Sequence, residues 1–144
     1  MTGGNKGIGQ AIVTKLLQDF PDTYLLLGSR DVARGQDAIR QIVEKLGDKI
    51  QARLELVQID VTSDSSVSAA VKSVLAKHGP EPLYGLVNNA GGNSDTPRGY
   101  LELNTYSVRR VCEAFLPLIQ KNKGEKKHFK ESNKINSETD NVSL

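Results

Sequence analysis

Apolar residues are unevenly spaced along this chain, and the spacing alternates between two patterns. Ile8, Ile12, Val13, Leu16 and Leu17 recur at helical intervals, which predicts a helix over 8–19 with one packing face. Leu25, Leu26 and Leu27 are consecutive within 23–28 and read as a strand buried on both sides. The same alternation continues with a helix over 31–46, a strand over 53–59, a helix over 63–78, a strand over 83–87 and a helix over 101–120. Gly47 and Gly79 stand where helices commonly end. Strands alternating with helices predict a parallel sheet covered on both faces. After Ile119 the pattern stops. Residues 121–144 are polar and carry only Phe129, Ile135, Val142 and Leu144 as large apolar residues, which predicts a disordered tail. The division expected is therefore one partial domain over 1–120 followed by the tail.

The chemistry is concentrated at the ends of these elements. Thr2-Gly3-Gly4-Asn5-Lys6-Gly7-Ile8-Gly9 is a glycine-rich turn leading into the first helix. Glycine accepts positive φ and lets a ligand approach the backbone. A helix start offers free N–H groups and partial positive charge to an anion. The spacing Gly3-x-x-x-Gly7-x-Gly9 is not the G-x-G-x-x-G of the general dinucleotide fingerprint. Asp60-Val61 follows one strand, Asn88-Asn89-Ala90-Gly91 follows another, and Asn104 opens the last helix. Together, T-G-x-x-x-G-x-G, an Asp at a strand tip, N-N-A-G and a helix-opening Asn resemble the short-chain dehydrogenase/reductase family. The runs Gly4–Gly9 and Ser29–Gln36, with Leu116-Pro117-Leu118-Ile119, are similar to its carbonyl reductases. The likeness covers about residues 2–119.

That resemblance implies a Rossmann-like, doubly wound α/β fold and an NADPH-dependent reduction of a small carbonyl substrate. It implies that Gly3, Asn5, Lys6, Gly7, Ile8 and Gly9 hold the cofactor's pyrophosphate side, and that Asp60 and Val61 flank adenine. Asn88, Ala90 and Gly91 would shape the floor beneath the ribose. Asn104 resembles the family's catalytic Asn, which holds a water in the proton relay. The choice of NADP can also be argued from the residues. An acid at the tip of the second strand would favour a free ribose 2′-OH. Here Ser29 and Arg30 occupy that tip, and an Arg fork suits a phosphate. Lys6 is a second cation for the same group. The plain alternative for either residue is a solvated surface charge. Asp31 is read as the N-cap of the helix that follows, not as a ribose ligand.

Two parts of the family pattern are missing. The family's acid is a Tyr followed four residues later by Lys. Four positions after Tyr24, Tyr84, Tyr100 and Tyr106 lie Gly28, Asn88, Asn104 and Arg110. Tyr106 is read as a helix-face aromatic. The strand that should feed the glycine turn is also absent, as are the strands after Ile119. The missing first strand belongs between two others, so its loss leaves a gap of roughly 10 Å. The expectation is an unstable chain, closure of the gap by its neighbours, or a partner chain filling it. A catalytically inactive NADP-binding fragment, or a truncated gene product, is the alternative to the reductase reading.

Composition adds bounds. A chain of 144 residues holds at most one domain. The formal charge of +2 gives no reason to expect nucleic acid. No apolar stretch is long enough to predict a membrane span. Cys112 is the single cysteine, which fits a reducing compartment, and cytoplasm is the expected location. His78 and His128 are isolated, so no metal site is expected. The substrate and the oligomeric state stay open.

Overall fold

The computed structural model describes residues 1–120. The element order is α1 (Gly7–Asp19), β1 (Leu25–Ser29), α2 (Val32–Leu46), β2 (Leu54–Gln58), α3 (Asp64–His78), α4 (Pro97–Leu101) and α5 (Ser107–Phe115). A π-helical turn, Glu102–Tyr106, joins α4 to α5. Short 3-10 turns precede β2 (Asp48–Arg53) and follow α5 (Leu116–Leu118). The predicted tail lies outside the described residues.

β1 and β2 form a parallel two-stranded sheet in which Leu25 faces Leu54 and Ser29 faces Gln58. This is an incomplete Rossmann-like α/β arrangement, with helices flanking a partial sheet. Two apolar clusters flank it. One joins α1, α2 and β1 through Val13, Leu17, Leu27, Ala38 and Ile42. The other joins β2, α3 and α5 through Val57, Ile59, Val67, Val74, Val111 and Phe115. The helix ends carry their expected signals. Asp31 and Ser63 accept hydrogen bonds from Arg34 N–H and Ser66 N–H as N-caps of α2 and α3. Gly47 and Gly79 follow those helices at φ 91° and 77°.

Two predicted elements differ from the observed ones. Residues 83–87 are not a strand. Leu83 makes one isolated parallel bridge to Ile119, and Val87 accepts a hydrogen bond from Thr2 N–H. A strand needs a partner along its length, and this run is bonded only at its two ends, Leu83 to the Leu118–Gln120 segment and Val87 to Thr2. The last helical stretch also begins earlier than 101. Thr96 caps Gly99 N–H, and Pro97 takes a first-turn position where its missing N–H costs nothing. Asn104 therefore sits inside a helical stretch, in the π turn, and does not open it.

The gap beside β1 is not closed. Thr2 bridges Gly28 in parallel, Gly28 N–H donates to Met1 O, and the Met1 ammonium donates to Leu26 O at 2.7 Å. Below this two-residue stub the slot remains as an apolar cavity of about 730 Å³ between β1 and residues 82–87.

Candidate functional site at the carboxyl end of the sheet

The glycine turn is held in place by the segment that follows residue 87. Thr2 is buried, and its Oγ1 accepts from both Asn89 N–H and Ala90 N–H at 3.1 Å. Asn89 Nδ2 donates back to Thr2 O (3.2 Å) and Gly3 O (3.0 Å). Side chains are excluded from this contact. A Cβ on Gly3 (φ 64°) would lie 2.9 Å from Ala90 Cα, and one on Gly9 would run into Gly3 O and Asn89 Nδ2. Gly7 has φ 53° and open space where a Cβ would stand.

α1 begins differently from α2, α3 and α4. Its N-cap is Lys6, with no side-chain acceptor, and its first turn contains no acid. The first N–H groups of α1 thus face the turn without a capping side chain. Lys6 and Ile8 are exposed there, Ile8 at 77%. Asn5 lies in the turn between them and Gly3.

Arg30 follows the last residue of β1 and is exposed. Ser29 is buried and donates through Oγ to Asp31 O. The Asp31 carboxylate is engaged by Arg34, through its N–H at 3.0 Å and its Nε at 3.3 Å. Past β2, the Asp60 carboxylate accepts from Thr62 N–H (3.0 Å) and Thr62 Oγ1 (2.7 Å). Burial disfavours its charge, but these two bonds, with Arg30 and Arg110 nearby, hold Asp60 below the usual carboxylate range. Val61 is buried and gives its carbonyl to Arg110 Nη1.

Asn88 Nδ2 donates to Cys112 Sγ on α5 at 3.2 Å. Asn104 is spent on Gly92 and Tyr100. Its Nδ2 donates to Gly92 O (2.8 Å) and Tyr100 O (2.9 Å), and its Oδ1 accepts from Gly92 N–H (3.1 Å). A Cβ on Gly91 would lie 2.8 Å from Asn104 Oδ1. Contacts therefore run unbroken from the glycine turn through 88–92 to the π turn. Arg30 and Asp60 flank this line at the same end of the sheet. Tyr106 is exposed, and Arg110 pairs with Asp64 and Glu102. No metal-ligand cluster occurs among the described residues.

Sequence reasoning missed Thr2 and Asn89 as the residues that fix the turn. A Thr before a glycine turn and the first two letters of N-N-A-G were visible. What was not visible is that the second Asn, 87 residues away, turns towards Thr2.

A family model described as short chain dehydrogenase matches residues 1–125. The chain belongs to the short-chain dehydrogenase family. Its relatives include a short-chain dehydrogenase/reductase of Aspergillus fumigatus, 35% identical over 138 residues, covering 88% of this chain and 51% of that protein. Carbonyl reductase [NADPH] 1 of Mus musculus is 35% identical over 130 residues, covering 83% of this chain and 44% of that protein. Among solved structures, menthone neomenthol reductase from Mentha piperita superposes with a TM-score of 0.73 at 27% identity, covering 83% of this chain and 55% of that one. This short-chain dehydrogenase chain thus spans about half the length of the curated relatives it matches. Its ancestry is enzymatic, and it shares the family likeness to carbonyl reductases. Among the described residues, no helix is long and apolar enough to cross a membrane.

Proposed function

We propose that this chain is the NADP(H)-binding part of a carbonyl-reducing oxidoreductase. The observation that carries the reading is the turn at Gly3–Gly9, in which Gly3 and Gly9 leave no room for a side chain and Asn89 holds the Gly3 carbonyl. Directly beside it is an uncapped helix start. Such a start accepts an anionic group through backbone N–H donors. Gly3, Asn5, Lys6, Gly7, Ile8 and Gly9 would hold the pyrophosphate and the adjacent part of the dinucleotide. Arg30 and Lys6 would take the 2′-phosphate. Asp31 raises no objection to that phosphate, because Arg34 already engages its carboxylate. Asp60 and Val61 would flank adenine, and Asn88, Ala90 and Gly91 would lie beneath the ribose. One mammalian relative carries NADPH in its name, which supports the same cofactor here.

When bound, the reduced cofactor supplies a hydride to a ketone or aldehyde carbon. Asn104, read as holding a water in a proton relay, has its amide hydrogens and Oδ1 engaged by Gly92 and Tyr100. The 144 residues contain no Tyr-x-x-x-Lys. A chain that binds cofactor without turning it over is therefore the second reading.

Titrating the full chain with NADPH and NADH, following nicotinamide fluorescence, tests the first reading. NADPH is expected to bind about tenfold or more tightly, and Arg30→Asp to remove that preference. NADH binding as well as NADPH would sink the assignment of Arg30 and Lys6. NADPH oxidation with a broad ketone substrate separates the two readings.

A further inference from the structure

We propose that Arg110 is a positioning residue that latches the π turn carrying Asn104 to the strand tip at Asp60–Val61, so that a ligand seated on that tip holds Asn104 in place. The latch stands on the geometry alone, and the part given to the ligand rests on the cofactor reading.

The π turn has two possible registers. Ser107 N–H donates to Glu102 O, and Ser107 Oγ donates to Leu103 O, the carbonyl that an α-helical Ser107 N–H would take. An α register is therefore one backbone hydrogen bond away. Moving to it turns the segment before Ser107 by one residue's rotation, about 100°. Asn104 would then lose its two bonds to Gly92.

Arg110 selects the π register. In an unbroken α-helix, residues eight apart stand about 80° from one another around the axis. The extra residue of the π turn makes the spacing of Glu102 and Arg110 nearly that of a heptad, about 20° from a shared face. Arg110 Nη1 accordingly stands 2.9 Å from Glu102 Oε1, and its Nε pairs with Asp64 at the start of α3. Glu102 Oε1 is buried with no aligned hydrogen-bond donor among the described residues, so the guanidinium charge is what compensates it. The same Nη1 donates to Val61 O at 3.1 Å, one residue past Asp60.

One side chain thus joins the strand tip proposed to flank adenine and the turn that carries Asn104. Coupling between two places needs an element with two arrangements that both places bias, and the π turn is such an element. Adenine seated on Val61 would fix the carbonyl that Arg110 holds, and so favour the register in which Gly92 is bonded.

The test follows amide NMR and hydrogen exchange in the full chain, with 2′,5′-ADP, the adenine half of NADP, as the probe. Without probe, Arg110→Met should speed exchange of the Gly92 amide about fivefold or more while α2 keeps its wild-type rates. Glu102→Leu removes the carboxylate from the other side of the pair and should also free Gly92, which keeps the test open if Arg110→Met does not fold. Saturating probe should slow Gly92 exchange in the wild type about fivefold or more, and should leave it unchanged in Arg110→Met. Wild-type exchange at Gly92 in both variants would overturn the latch. Binding of the probe without a response at Gly92 would overturn the coupling. No binding to the wild type would overturn the cofactor reading and the ligand's part with it, and the probe-free comparison would still decide the latch.

Discussion

Thr2 Oγ1 accepts from two backbone N–H groups, so its removal leaves both without a partner. Thr2→Val keeps the shape and loses the acceptor. It should cost about 1–3 kcal/mol in urea denaturation, and Thr2→Ser should recover most of that. Gly9→Ala forces a methyl into Gly3 O, and the turn must shift. NADPH affinity is expected to fall about tenfold or more with far-UV circular dichroism unchanged. Unaltered affinity would show that the cofactor does not depend on the turn. Gly3, Gly7 and Gly9 were legible in the sequence because glycine spacing reflects backbone geometry, which is local. The inward turn of Asn89 was not. It depends on contacts that exist only once residues 2 and 89 meet.

Among the elements, Arg110 ties the most together. It pairs with Asp64 on α3 and with Glu102 in the π turn, and it donates to Val61 O after β2. Arg110→Met should loosen the junction that carries Asn104. A stability loss of about 1 kcal/mol is expected, because the ion pairs are partly exposed. Hydrogen exchange should rise over residues 102–107 more than in α2. Most helices were readable to within a residue or two, since their amphipathic stripes and caps are carried by near neighbours. The start at Pro97 was obscured because Gly91–Thr96 reads as loop chemistry, although Thr96-Pro97 is itself a start signal. The run at 83–87 has strand composition, but strand formation is decided by neighbours, and here they bond the run only at Leu83 and Val87.

For the molecule as a whole, pH acts through the buried amine and the paired acids. Burial lowers the Met1 ammonium from 8.0 to about 6. The unfolded chain therefore binds more protons between those values, and stability should rise as pH goes from 6 to 8. The two-unit difference corresponds to about 2–3 kcal/mol. Nα-acetylation removes the charge and should flatten this rise in thermal melts. A rise of the same size after acetylation would exclude Met1 as its source. At the acid end, Asp60 and Glu55 sit below their ordinary values in the fold. For Glu55, burial opposes the shift, while bonds from Lys77 and Tyr24 outweigh it. Their contribution is present above the unfolded pKa and is lost as pH falls through the folded one. The position of the first residue also bears on how the protein is made. An affinity tag fused ahead of Met1 would have to leave along β1, past Leu26 and through the apolar cavity. Tags at opposite ends should therefore differ in effect, because a tag ahead of Met1 is the one that disturbs the contact with Leu26 O.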